Sequence, residues 1–331
     1  MNGQHPLWTA VALGSHTLKS RLVLPPMASG TGDAEGLVTD RTLEHYGRLV
    51  GERVAIAFVE YTYVHDTGRS EPNQLGLSRP EHRAGLARLA GLIRAQGAMP
   101  GIQLTHAGGK TDESLIGRQP LGASAVAIPA HGGDMPAPAP MTADEVSTLF
   151  AAFVQAAVWA EDAGFQVIEI HAAHGYFFNQ WLSPITNRRG DRHGGSREAR
   201  SALLIDLVRE LRRVLSPKTL LSIRFPAQDR LDGGLTLEDG VWLAQRITAA
   251  GVDVLNVSSG LGGWRRGRDQ RGEGYLVADA RELRRRVGIP VIGVGGIQSL
   301  AYCAEVLNSQ EVDLLAVGRA LLANPAWPCA A

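Results

Sequence analysis

Eight short apolar runs, each followed by a longer stretch with helical periodicity, limit most severely what this chain can fold into. They begin at Leu22 (LVLPPM), Ala55 (AIAFVEYT), Met99 (MPGIQLTH), Phe165 (FQVIEIH), Thr219 (TLLSIRF), Val252 (VDVLNVSS), Pro290 (PVIGVGG) and Asp313 (DLLAVGR). Nearly continuous apolar character marks strands buried on both faces, and alternation with helices makes such strands parallel. The helices carry their own start signals. Ser78-Arg79-Pro80-Glu81 and Thr142-Ala143-Asp144-Glu145 both have capping-box form, and Leu86, Leu89, Ala90 and Ile93 fall on one helical stripe. Eight βα units close a ring, so the expected fold is α/β, a (β/α)8 TIM barrel formed by residues 1–331 as one domain. A doubly wound Rossmann-type sheet is the alternative, but no Gly-x-Gly-x-x-Gly follows the first strand.

Two segments depart from the rhythm. Val11 to Lys19 holds two short β-like pieces around Gly14, which suits a hairpin closing the barrel's bottom. Between the third strand and Thr142, Pro129, Pro136, Pro138 and Pro140 exclude regular helix and predict a long loop over the active face.

The composition, 44% hydrophobic and 20% charged with zero formal net charge, suits a soluble chain with a large core and no general attraction to nucleic acid or anionic membranes. A small molecule is the expected partner, and a homo-oligomer is left open. Trp264 through Arg271 forms the one basic cluster, read as a solvated loop. Cys303 and Cys329 are too few and too distant for a disulfide framework, and no metal site has recognisable ligand spacing. No apolar run approaches the ~18 residues of a membrane span, and the N-terminus lacks a signal-peptide layout, which points to the cytoplasm.

In a barrel of this kind chemistry gathers where the strands end. Those ends are polar here: Pro26-Met27-Ala28, Glu60-Tyr61-Thr62, Gln103 through His106, His171, Arg224, Ser258-Ser259-Gly260, Gly295-Gly296 and Gly318-Arg319. Gly295-Gly296 after the seventh strand and Gly318-Arg319 after the eighth expose backbone N–H groups of the kind that hold phosphate, though each could also be a tight turn. Gln103 and Arg224 offer directed hydrogen bonds at a flat cofactor ring, with a buried salt bridge as the alternative for Arg224. His171 and His174 make a donor pair, with Tyr176 beside them as a potential general acid.

These residues resemble the Old Yellow Enzyme family of FMN-dependent ene-reductases, over almost the whole chain. The most specific stretch runs from Ile168 through His171-Ala172-Ala173-His174-Gly175-Tyr176 to Leu182-Ser183-Pro184-Ile185-Thr186-Asn187-Arg188-Arg189 and Asp191, ending Gly194-Gly195-Ser196. Pro26-Met27, Gln103 to Gly108 with Lys110, Arg224, Gly295-Gly296-Ile297 and Gly318-Arg319 support it. The resemblance implies FMN, with its phosphate at Gly295, Gly296, Gly318 and Arg319, and with Pro26, Met27, Ala28, Tyr61, Gln103, His171 and Arg224 around the ring. It implies NADPH or NADH as reductant and hydride transfer to the β-carbon of an activated alkene. His171 and His174 would bind the activating carbonyl or nitro group, Tyr176 would protonate the α-carbon, and Gly30 would border the substrate.

Three positions depart from that pattern. Ala28 stands where relatives carry Cys or Thr, Tyr61 where the residue is usually small, and Gly30 where some relatives place an aromatic contact. The ending Asn324 to Ala331 contains no Arg of the kind that reaches a neighbouring subunit in one class of the family. The length, without a Cys cluster, argues against the longer dienoyl-CoA-reductase-like relatives. Flavin oxidation of a C–N or C–C bond on the same scaffold is an alternative. A non-redox, lyase-like phosphate barrel is a remoter one, disfavoured because Lys19, Lys110 and Lys218 all fall outside the strands.

Overall fold

The structure, a computed structural model, describes residues 4–130, 133–262 and 272–327. The basic run Trp264 to Arg271, Cys329 and the last four residues lie outside the described residues. In chain order the strands are β1 (Val11–Leu13), β2 (His16–Leu18), β3 (Leu22–Leu24), β4 (Ile56–Tyr63), β5 (Met99–Thr105), β6 (Leu121–Gly122), β7 (Ala139–Pro140), β8 (Val167–His171), β9 (Leu220–Pro226), β10 (Val254–Ser258), β11 (Val291–Val294) and β12 (Leu314–Ala316). Eight of them, β3, β4, β5, β8, β9, β10, β11 and β12, close a parallel barrel in that order. Each follows one of the apolar runs, so the (β/α)8 expectation holds.

Alternation along each strand separates two apolar layers. Side chains facing outward meet the helices, where Leu86, Leu89, Ala90 and Ile93 of the helix His82–Ala95 are all buried as their spacing predicts. Side chains facing inward, among them Val23, Ile56, Phe58, Val167, Leu220, Val254, Ile292 and Leu314, form a second cluster that also takes in Leu13 and Leu18. Those two leucines come from the hairpin β1–β2, which pairs Val11 with Leu18 and Leu13 with His16. Gly14 turns it at φ 56°, and a Cβ there would lie 2.7 Å from Leu220 Cδ2, so glycine answers both the left-handed backbone and the lack of room.

One helix start follows its sequence signal and one does not. Thr142 and Glu145 form the expected capping box, Glu145 N donating to Thr142 Oγ1 at 3.2 Å and Thr142 N to Glu145 Oε2 at 2.9 Å. The Ser78–Glu81 box does not form: that helix begins at His82, with no side-chain cap from Glu81. The backbone N–H groups of Ser78 and Arg79 both donate to His82 Nδ1 at 3.2 Å, so an imidazole supplies the acceptor for Ser78 N–H that a capping box expects from Glu81.

The long segment after β5 is less irregular than its prolines imply, because it carries a short helix, Glu113–Ile116, and the two-stranded pair β6–β7. Its Ile128, with Lys110 and Leu261, lies within contact distance of a Cβ built on Gly175, which brings this segment to the C-terminal rim of the barrel as expected. Among the described residues no helix is long and apolar enough to cross a membrane.

Leu13 is fully buried inside the barrel's lower end. Leu13→Ala is expected to lower unfolding stability by about 3 kcal/mol through lost transfer energy and a residual cavity, measured by denaturant titration, while cofactor content at the opposite rim stays unchanged.

Candidate active site

The rim is organised from beneath by one carboxylate. Glu169, in the middle of β8 and fully buried, accepts from Gln103 Nε2 (2.8 Å), Ser222 Oγ (2.7 Å) and Asn256 Nδ2 (2.9 Å), each from a different strand. Burial pushes its pKa upward; the Arg224 charge and the three donors pull the other way. Because a carboxylate only accepts, Gln103 must turn its NH2 toward Glu169, which orients its carbonyl the opposite way. Asn256, donating to Glu169, offers its Oδ1 to Arg224 Nη1 at 2.6 Å. Arg224 therefore makes no ion pair among the described residues, against the salt-bridge alternative. Its Nη2 donates to Ser258 Oγ at 3.3 Å, and its Nε is buried without a partner.

β8 ends at His171, and the backbone then turns sharply. His174 (φ 60°) and Gly175 (φ 77°) both adopt left-handed conformations, which fold the loop back over the strand. His174 Nδ1 consequently sits 3.2 Å from His171 Nε2, and Tyr176 stands edge-on to His171 with ring centroids 4.8 Å apart. The three residues that the sequence grouped are thus brought together, lining one cavity of about 180 Å³ with Pro26, Tyr61, Gln103, Lys110 and Arg224. Burial first, then for His171 the neighbouring His174, and for both the cations Arg224 and Lys110, drives the imidazole pKa values well below the ordinary histidine range. Burial likewise raises that of Tyr176. The site therefore presents neutral imidazoles and a protonated phenol.

A larger cleft, about 550 Å³, adjoins this cavity through Pro26 and Arg224. Pro25, Met27, Gly295, Gly296, Gly318 and Arg319 line it, with Trp327 at one end. Gly295 (φ 128°) and Gly296 (φ 68°) require glycine for conformation, and a Cβ on Gly296 would come within 3.2 Å of Arg319 Nη2. A Cβ on Gly318 would reach Met27 Sδ at 2.8 Å. Bare backbone beside a guanidinium suits a phosphate, while the partnerless Nε of Arg224 and the oriented Gln103 carbonyl suit the polar edge of a flat ring.

The departures resolve differently. Ala28 is exposed and lines neither space. Gly30 takes φ 61° with nothing within 4 Å of a Cβ, so that side of the rim is open. Tyr61 turns its hydroxyl to Glu71 Oε1 at 2.5 Å and packs its ring 5.7 Å from that of Tyr176.

Sequence reasoning passed over Glu169, Ser222, Asn256 and the role of Lys110, whose Nζ donates to the His174 carbonyl at 2.7 Å and lies 5.2 Å from the Tyr176 ring centre. A usable signal existed: Glu and Asn inside otherwise apolar strands are costly unless they meet. Glu60 was also passed over as a buried acid. No three-residue group able to hold a metal occurs among the described residues.

A closed parallel barrel whose rim sets bare glycine backbone and a guanidinium beside an oriented polar edge fits a flavin-binding barrel. The chain belongs to the NADH:flavin oxidoreductase / NADH oxidase family, that of Old Yellow Enzyme, whose model matches residues 6–331. It is 39% identical over 317 residues to an NADPH dehydrogenase of Geobacillus thermodenitrificans, covering 95% of this chain and 90% of that one. It is 33% identical over 338 residues to an NADH oxidase of Thermoanaerobacter brockii, covering 97% of this chain but 50% of the relative, so it spans half that protein's length. Morphinone reductase in complex with tetrahydroNAD superposes with a TM-score of 0.81 at 26% identity, over 97% of this chain and 89% of that one. FMN with NADPH or NADH as reductant is the cofactor pair these relationships carry.

Glu60 gives this rim a pH dependence. Burial raises its pKa to about 7, against the opposing donors of Ser29. An unfolded glutamate loses its proton near 4.5, so between there and 7 the folded state holds more protons and stability falls as pH rises. Thermal unfolding from pH 4.5 to 8 is expected to show this decline in the wild type, with a flatter profile in Glu60→Gln.

Proposed function

We propose that the protein is an NAD(P)H-dependent FMN oxidoreductase that reduces activated alkenes, α,β-unsaturated carbonyl or nitro compounds. The observation that carries this reading is the convergence of two neutral imidazole nitrogens, 3.2 Å apart, beside a buried phenol. Reduced FMN, when bound, supplies the hydride that adds to the β-carbon. Everything else falls to the chain. Gly295, Gly296, Gly318 and Arg319 would hold the phosphate, with Gln103 and Arg224 at the polar edge of the ring and Pro26, Met27, Tyr61 and His171 flanking it.

His171 and His174 would grip the activating oxygen. Hydride addition builds negative charge there, and two N–H donors in a desolvated pocket stabilise that charge more than they stabilise the neutral ground state. Since both imidazoles are held neutral, neither has an acidic proton to give, and protonation of the α-carbon falls to Tyr176. Its raised pKa keeps the phenol loaded at neutral pH, and Lys110 beside its ring would favour the phenolate left after transfer. The open side at Gly30 leaves room for a substrate larger than the small cavity. The partner is then a small molecule and the binding unit a single barrel.

Purified protein is expected to show a flavin spectrum and to release FMN on denaturation; a colourless protein that takes up no added FMN would overturn the reading. In stopped-flow measurements Tyr176→Phe should slow reoxidation by an enone by about 10²- to 10⁴-fold, with flavin reduction by NADPH or NADH nearly unchanged. Equal slowing of both halves would remove Tyr176 as the proton donor.

A further inference from the structure

Ser258, at the end of β10, is not among the residues assigned a role above, yet it sits between the buried cation and the His pair. Its side chain is buried, with Oγ 2.6 Å from His174 Nε2 and 3.3 Å from Arg224 Nη2. We propose that Ser258 is a positioning residue that fixes the tautomer of His174, donating its hydroxyl proton to Nε2 so that the imidazole carries its own proton on Nδ1, facing the substrate pocket. This inference rests on the donor-pair reading of the pocket.

The argument is an inventory of protons. A guanidinium can only donate, so Arg224 Nη2 occupies a lone pair of the Ser258 oxygen. The hydroxyl proton then has His174 Nε2 as its one acceptor among the described residues. If Nε2 carried the imidazole proton instead, two donors would converge on the serine and its own buried proton would be orphaned. Accepting from a cation also makes the hydroxyl a better donor, which strengthens the short 2.6 Å contact in the proposed sense.

His171 is fixed independently. Its Nδ1 accepts the backbone N–H of Ala173 at 3.2 Å, so the neutral ring carries its proton on Nε2. Burial and the neighbouring cations keep both rings neutral, so each has one proton and its location is decisive. With His174 protonated on Nδ1, two N–H groups face one another across 3.2 Å. They compete until an oxygen acceptor approaches both. With His174 protonated on Nε2, the His171 N–H would instead be spent on His174 Nδ1, and only one donor would be within easy reach of a ligand. Ser258 therefore decides whether the pocket holds two convergent donors or a closed internal chain.

Two-bond ¹H–¹⁵N correlation spectra of the oxidised holoenzyme with ¹⁵N-labelled histidine read the tautomers directly, and a His174→Asn sample assigns the resonance. The wild type bound to p-nitrophenolate is expected to show His171 as Nε2–H and His174 as Nδ1–H. Ser258→Ala should shift His174 toward Nε2–H and weaken p-nitrophenolate binding by roughly tenfold or more, and Ser258→Thr, which keeps the hydroxyl, should restore both. An Nε2–H pattern for His174 in the liganded wild type overturns the proposal even if the alanine variant does not fold, as does an unchanged tautomer in Ser258→Ala. A wild type inactive on enones but carrying the Nδ1–H pattern would refute the proposed reaction while the tautomer assignment stood.

Discussion

The active rim depends on a carboxylate placed where an apolar strand has no evident need of one. Glu169 gathers Gln103 from β5, Ser222 from β9 and Asn256 from β10, four barrel strands tied at one level by side chains as well as by backbone. An unpaired ionised group there would be prohibitive, and its tolerance rests on those donors and on the Arg224 charge. The consequence runs outward. Glu169 fixes the amide of Asn256, Asn256 fixes one arm of Arg224, and the other arm reaches Ser258 and through it His174. A charge beneath the rim thereby fixes donor directions at its surface. For the proposed reaction this is preorganisation in its physical sense: the dipoles are aimed before a substrate oxygen arrives.

Stability and chemistry occupy opposite ends of the same strands. Below, Leu13 and Leu18 of the hairpin complete an apolar interior with Val23, Ile56, Phe58 and Leu220. Above, the interior changes to Gln103, Glu169, Ser222, Arg224 and Asn256, bound to one another. The two ends place different demands on sequence. The lower one asks only for volume and apolarity, whereas each upper residue must supply a particular donor or acceptor in one orientation. That division lets the rim carry buried polarity, because the apolar end and the helical jacket provide the compensating burial.

How much of this was legible follows from the same division. The strands were readable because burial on both faces makes each a continuous apolar run, and the hairpin because Gly14 breaks such a run where only glycine fits. The rim was readable where the residue type itself carries the message: paired glycines, two histidines followed by a tyrosine, and an arginine ending a strand. It was not readable where meaning depends on a partner distant in sequence. Glu169 looks like an exception inside β8 until Asn256, 87 residues away, is brought beside it. The cap expected at Ser78 failed for a related reason, since the acceptor came from His82, a residue type with no place in the usual capping pattern. Nor does the sequence show which way Tyr61 turns, since that is set by Glu71, which accepts its hydroxyl.

The electrostatics of the pocket also divide labour among residues that look interchangeable in sequence. Two histidines and two tyrosines surround one small space, and any of the four could in principle move a proton. Burial disfavours the imidazolium form, and Arg224 and Lys110 disfavour it further, so in the proposed reaction the histidines serve as donors of hydrogen bonds and not of protons. Tyr61 is engaged with Glu71, whose negative charge opposes formation of a second anion beside it. In the proposed reaction Tyr176 combines a retained proton with a nearby cation, Lys110, able to offset the charge left when that proton departs. The acid is therefore assigned by the fixed charges: Lys110 stands beside the Tyr176 ring, whereas Glu71 takes the Tyr61 hydroxyl directly and acts on Tyr176 through its charge alone.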